Sequence, residues 1–464
     1  MSLSEQIKNF ELRIPPLMQK SQIPGLAIAI VKDQQVIYSH GFGARDLKEK
    51  LPVNSDSLFG IGSVTKSFTC LAVMQLAEAG QLDLGDPVSK YIPFNLDRTD
   101  DPITIRHLMS HTSGIPNLGS AETVIARECL NAETYIPLST TDDVLRFFNG
   151  ASEEIRFAPG EHFFYYNGGY ALLALIIEKT SGMEFEDYIQ AKILTPLEMN
   201  RSTLKEEEFE QDPNKATAYL LKPQGKIEPT KHMFDKAAKG AGGLFSSVTE
   251  LGNYLIMIMN GGIYKEKKVL DQKSIQDMYE IQKGTRQDHG MYGDFGYGYG
   301  WVIIENFLGH KLYGHGGSTL VSAAYIGFLP EMKLGIALVA NNGNAPLGIF
   351  GQAMLAMMLG KTIEVDIPFF KVQKKFEKFV GQYTSYSKIY NPKITLKEGM
   401  LFYELKVVDF INQKVPLIPK NRTIDNNEFY IYNMGMIEPV KFIIRETGDV
   451  DLLIERNLFH KVRG

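Results

Sequence analysis

The stretch FGIGSVTKSFTCLAVMQLAEAG, residues 59 to 80, places Ser63 and Lys66 three apart at the start of an apolar run that Gly80 closes. On a helix, positions i and i+3 share a face, so a serine hydroxyl and a lysine amine at this spacing come within hydrogen-bond reach. Burial favours the neutral amine, which makes Lys66 a proton acceptor, and a helix N-terminus favours negative charge at Ser63. The competing reading makes Ser63 a cap and lets Lys66 snorkel to solvent. The tetrapeptide alone does not decide, because Ser-x-x-Lys also occurs at Ser202/Lys205 and Ser385/Lys388. Setting separates the three: Ser202 opens a charged run and Ser385 lies in a β-rich tail, whereas Ser63 begins an apolar helix.

Two further stretches carry chemistry. Among the 22 tyrosines, only Tyr165 has an asparagine two positions on, Asn167, in PGEHFFYYNGGYALLALIIEKTSG. There a phenol can relay a proton to a leaving group and an amide can hydrogen-bond a substrate; the plainer alternative is an aromatic cluster packing in a loop. In YGHGGSTLVSAAYIGFLP, His315 is the only one of nine histidines followed by two glycines. Gly316 and Gly317 would let a substrate lie along the backbone, although a lone His-Gly-Gly is more often a turn.

In this order and at these separations, Ser63-Val-Thr-Lys66, Tyr165-Tyr-Asn167 and His315-Gly-Gly317 resemble a known signature set, Ser-x-x-Lys, Tyr-x-Asn and Lys/His-x-Gly. It belongs to the serine hydrolase superfamily of class C β-lactamases, penicillin-binding proteins, D-aminopeptidases and related esterases. The connecting text IRHLMSHTSGIP, AAKGAGGLFSSVTELGNYL and YGYGW is similar as well, so the likeness runs over roughly residues 10 to 360. The resemblance implies that Ser63 is the acylated nucleophile and that Lys66 and Tyr165 share the proton traffic. It implies an oxyanion hole from the backbone N–H groups of Ser63 and Ser318, with Asn167 holding Lys66 or the acyl amide and His315 lining the far wall. No cofactor and no metal are implied.

Relatives that bind a substrate carboxylate often do so with Lys-Thr-Gly. This chain has His315 and Gly316 instead, and lacks the hydroxyl. The expected activity is therefore hydrolysis of amide or ester bonds in a small molecule or short peptide without a required terminal carboxylate. A D-residue-selective peptidase of aminopeptidase type comes first, and a carboxylesterase or β-lactamase is the alternative. From another class comes a sensor or penicillin-binding protein that is acylated without turning over.

The elements that must position these residues follow from pattern. GLAIAIVKDQQVIYSHGFG, 25 to 43, reads as a hairpin around a polar four-residue connection, and strand signals return only at Gly300 to Ile304, Ser322 to Leu329 and 333 to 341. Between them lie helical patterns at Thr104 to Ser110, Thr141 to Phe148 and Gly169 to Thr180. The expected fold is α/β (α+β): an antiparallel sheet flanked by helices with an inserted helical region, of the β-lactamase/transpeptidase type. After about residue 365 short alternating runs predict a small antiparallel β-barrel, which resembles the extra lipocalin-like domain of some D-peptidase relatives. The expected domains are 1–365 and 371–464.

Composition removes other classes. Lys plus Arg is 49 against 54 for Asp plus Glu, interspersed, so nothing recommends nucleic acid as a partner. The most hydrophobic run, Leu347 to Gly360, is too short to span a bilayer, and the charged N-terminus reads as an amphipathic helix, so the expectation is no membrane partner and a cytoplasmic, soluble protein. A homo-oligomer is compatible with this. Cys70 and Cys129 suggest neither a disulfide framework nor a zinc site. His107 and His111 have the i, i+4 spacing of a zinc helix but lack its glutamate and a third ligand. Asn341 and Asn342, after a strand, read as a turn.

Overall fold

A computed structural model describes residues 3–96, 102–133, 136, 138, 140–288, 294–397, 399–407, 411–421 and 424–462. They form two units, one through Asp288 and over Asp294–Gly360, the other from Lys361 onward.

The first unit is built on a nine-stranded antiparallel sheet. Its strands run in the order Gln287–Asp288, Asp294–Tyr297, Val302–Phe307, His310–Ser318, Ala323–Leu329, Leu334–Ala340, Gly25–Lys32, Gln35–Asp46 and Leu51–Pro52. Early and late segments meet in its middle, where Leu26 pairs with Ala340. Ala323–Leu329 and Leu334–Ala340 are buried at every position, so these strands read as unbroken apolar runs rather than alternating ones. Both faces are covered: helix Val248–Met259 packs over Gly335, and helix Leu347–Met358 packs over Tyr325 and Leu338 on the other side.

The hairpin closes more tightly than its polar connection suggests. Lys32 pairs with Gln35, leaving only Asp33 and Gln34, both left-handed at φ 47° and 66°, in a turn whose twist matches its strands. The strand expected from Gly300 begins at Val302, because Gly300 is left-handed (φ 77°) and the Trp301 carbonyl turns back to the Gly298 N–H. The N-terminal segment forms two helices, Leu3–Glu11 and Ile14–Lys20, the second carrying Pro15 and Pro16 in its first turn, which tolerates them. Between hairpin and returning strands lies the helical region. Its central helix, Thr65–Glu78, is buried nearly all round and packs against helix Asn167–Ser181.

The second unit is a nearly closed antiparallel sheet. The segment 411–419 pairs with Met400–Val407 on one side and, through Ile418–Pro419, with Glu428–Asn433 on the other, which brings the sheet round on itself. Helix Pro368–Phe379, absent from the strand-only reading of this tail, adds Val372, Phe376 and Phe379 to the barrel core, where Phe379 stacks on Phe442 with centroids 4.0 Å apart. Phe442→Ala removes that contact and is expected to destabilise the unit by about 3–5 kcal/mol, read from its equilibrium unfolding transition.

Candidate active site

Ser63 sits on a single 3₁₀ turn, Gly62–Val64, that feeds directly into helix Thr65–Glu78. Thr65 pins the turn, donating from Oγ1 to the Gly62 carbonyl (2.7 Å) and accepting the Leu244 N–H (3.2 Å). Strand His310–Ser318 presses against it. A Cβ at Gly317 would fall 2.0 Å from the Ile61 carbonyl oxygen and 2.8 Å from the Ser63 nitrogen, and one at left-handed Gly62 would fall 2.7 Å from the Ser318 nitrogen. Only glycine permits this approach, and it brings the backbone amides of Ser63 and Ser318 to one seam. A Cβ at Gly316 would meet nothing within 4 Å, so the two glycines serve different ends: Gly317 allows contact, and Gly316 faces open space. The neighbouring strand Val302–Phe307 pairs with this one no further than Gly314, leaving one edge of His315–Ser318 without a strand partner among the described residues.

Lys66, on the first turn of the helix, is wholly buried. Its Nζ lies 2.9 Å from Ser63 Oγ, 2.8 Å from Asn167 Oδ1 and 2.8 Å from the Ala241 carbonyl oxygen. Burial pulls its pKa down to about 7, against smaller opposing contributions from Cys70 and Glu122. A neutral amine has two N–H donors and one lone pair. Two carbonyl-type oxygens take the donors, and the third neighbour, the Ser63 hydroxyl, faces the lone pair. The rings of Tyr165 and Tyr170 flank Nζ at 4.9 and 5.3 Å.

Tyr165 is half-buried in the irregular segment before helix Asn167–Ser181. Burial raises its pKa, and the nearby Ser63 hydroxyl moderates the rise, so the phenol keeps its proton. His315 is 3 % exposed and turned towards the protein: Nδ1–H donates to the Gly316 carbonyl (2.6 Å), and Nε2 accepts from the Tyr297 hydroxyl (2.9 Å). Burial, and then the charge of Lys66, push its pKa down to about 3. The ring is therefore neutral and contributes no cation to a substrate. Ser318 donates its hydroxyl to the Gly343 carbonyl at 3.1 Å.

Ser63, Lys66, Tyr165 and Asn167 thus cluster with the backbone of Gly317 and Ser318. Sequence reasoning missed the Ala241 carbonyl and Tyr297. A main-chain oxygen leaves no mark of residue type, and Tyr297 stands in YGYGW, where an aromatic reads as packing. Asn341 is structural, its Oδ1 accepting the Gly25 N–H at 2.8 Å. His107 and His111 part company: Nδ1 of His107 lies 3.0 Å from Thr104 Oγ1, and Nδ1 of His111 accepts the Tyr166 N–H at 2.9 Å. Among the described residues, Glu178, Glu184 and Glu186 bring carboxylates within 4.8 Å of one another. Lys239 pairs with Glu186, Lys236 with Glu184 (3.9 Å), and the Phe185 N–H with Glu178 (3.1 Å), so these charges are already answered.

Comparison with known proteins bears on this geometry. A family model described as Beta-lactamase matches residues 10–348, and one described as the Pab87 octamerisation domain matches residues 363–460. The chain is similar to Protein flp of Staphylococcus aureus (strain MW2), 29 % identical over 329 residues; the match covers 70 % of this chain and only 61 % of that protein. It is 32 % identical over 195 residues to penicillin-binding protein 4* of Bacillus subtilis (strain 168), covering 42 % of this chain and 41 % of that one. Among solved structures, the octameric penicillin-binding protein homologue from Pyrococcus abyssi superimposes with a TM-score of 0.90 at 35 % identity, over 98 % of this chain and 100 % of that one. A class C beta-lactamase, at 22 % identity and a TM-score of 0.62 over 76 % of this chain and 96 % of its own, shares the fold.

The buried amine has a measurable thermodynamic signature. Its folded pKa of about 7 lies below the ordinary lysine value of 10.5, so between these values the unfolded chain binds more protons and folding gains stability as pH rises. Below about pH 7 the amine is charged in both states and the full cost of burying that charge is present. Lys66→Met removes the charge, and its stability relative to the wild type is expected to improve steadily from pH 10 down to pH 7 in denaturant titrations.

Proposed function

Because this chain belongs to the beta-lactamase family, matched over residues 10–348, we propose that it is a serine hydrolase working through an acyl-enzyme on Ser63. One observation carries the reading: the Lys66 amine, its donors held by Asn167 and Ala241, directs its remaining valence at the Ser63 hydroxyl 2.9 Å away. Lys66 takes the hydroxyl proton as Oγ attacks the substrate carbonyl, and the Ser63 and Ser318 amides receive the charge that develops on its oxygen. The protonated Tyr165 phenol delivers a proton to the leaving group and is recharged from Lys66. Water, activated by the same pair, then attacks the acyl-enzyme and releases the acid.

The substrate is an acyl compound bound along the free edge of His315–Ser318, where strand pairing supplies affinity. A neutral, internally bonded His315 and a Ser318 hydroxyl committed to Gly343 favour substrates without a required terminal carboxylate. Short peptides with a D residue, cleaved in aminopeptidase fashion, rank first, esters second and β-lactams third.

The second unit supports assembly into a homo-oligomer, given its match to an octamerisation domain and the octameric relative. Its strands alternate up and down, so the loop 385–392 and the hairpin turn at Met434 fall at the same end of the barrel, opposite the entry of helix Pro368–Phe379. That end exposes Tyr386, Ile389, Tyr432, Met436 and Ile437, with Met434 97 % exposed. Apolar side chains gathered there suit contact between copies.

Intact-mass analysis after a fluorophosphonate probe, beside a panel of p-nitrophenyl esters, D- and L-aminoacyl anilides and nitrocefin, tests the chemistry. Single labelling that Ser63→Ala abolishes is expected, with turnover of a D-aminoacyl anilide above nitrocefin. Labelling that survives in Ser63→Ala rejects the reading. For assembly, light scattering should give a multiple of the 52.1 kDa chain mass, and Met434→Asp with Tyr432→Ser should lower it while Ser63 labelling persists.

A further inference from the structure

His111 lies behind the reactive side chains at 1 % exposure, and no step above uses it. Its backbone is left-handed at φ 59°, a conformation that costs an L residue energy and persists where the surroundings over-determine it. What surrounds it is Tyr165. The His111 carbonyl accepts the Phe164 N–H at 2.9 Å, and His111 Nδ1 accepts the Tyr166 N–H at 2.9 Å, so one residue grips the chain on both sides of Tyr165. Its imidazole also lies against the Tyr165 ring, with centroids 4.2 Å apart and planes inclined at 33°, and meets Tyr297 and Tyr170 at 5.0 and 5.1 Å.

The protonation state suits this work. With Nδ1 accepting, the ring proton sits on Nε2, which is buried and has no hydrogen-bond partner among the described residues. Burial, and after it the nearby Lys66, hold the imidazole neutral, which keeps Nδ1 an acceptor. An apolar filler of the same volume would account for the burial. It would supply no acceptor for the Tyr166 N–H, and it would leave the left-handed backbone unexplained.

We propose that His111 is a positioning residue for proton transfer, holding the Tyr165 phenol in register with Ser63 and Lys66 without touching the substrate. The proposal rests on the reading of Ser63 as the acylated nucleophile. Tyr165 lies outside regular structure, so its aim is set by neighbours rather than by a helix ladder, and a loosely held relay loses rate more than binding.

The test is saturable fluorophosphonate labelling of the full chain, which separates the rate of acylation-like attack (kinact) from binding (KI). His111→Asn keeps an acceptor near the Nδ1 position and accepts a left-handed backbone, so it removes chiefly the ring. It is expected to lower kinact at least fivefold with KI within twofold. His111→Phe keeps a ring and removes the acceptor; it too should lower kinact. In the Tyr165→Phe background either change should cost less than twofold, because the group being positioned is gone. A loss under fivefold for His111→Asn, or a penalty that persists undiminished with Tyr165→Phe, overturns the proposal while the acyl-enzyme reading stands. Failure of the wild type to label at Ser63 overturns that reading and the proposal with it.

Discussion

Lys66 carries an amine into a wholly buried position, and an amine there is stable only where its polar atoms find hydrogen-bond partners. The partners come from separate stretches of chain: Asn167 at the start of another helix and the Ala241 carbonyl take the N–H groups, and the Ser63 hydroxyl, on the turn before its own helix, faces the lone pair. Meeting that one requirement fixes three segments relative to each other. Burial that would be a liability for a structural lysine is here what draws the amine towards neutrality, the form in which it has a lone pair to offer.

A second constraint, steric rather than polar, locks the sheet to this helical core. The Ser63 turn and strand His310–Ser318 approach so closely that a methyl group at Gly317 would overlap the Ile61 carbonyl. On the far side, Gly300 lets the YGYGW segment lie against the main chain of Lys66 and Ser67, where a Cβ would fall within 3.0 Å. The lysine helix is thus held between two backbone contacts, each possible only at glycine.

These constraints also explain what could be read in advance. Ser63, Lys66 and Asn167 stood out because they are side-chain chemistry at a fixed spacing, and Lys66 bonds to both of the others. The apolar strands and the hairpin were legible from period and length, and the two-residue turn was not, because Gln35 is polar yet pairs within the ladder. The pairing of His107 with His111 needed a continuous helix. That helix stops at Met109, and the left-handed step at His111 sends its ring to Tyr165. In the second unit, alternation announced strands, but near-closure depends on one segment, 411–419, pairing with two neighbours, and no local pattern encodes that.

The meeting of Gly62 with Gly317 has a consequence in time. Ser63, Lys66 and Tyr165 are all synthesised well before Ser318, and the seam holding the Ser63 and Ser318 amides forms only when the late strands join the early hairpin at Leu26 and Ala340. A chain still on the ribosome carries the serine and lysine without the partner amide across from them. Under the proposed function, competence to attack an acyl bond arrives only with the closing of the sheet.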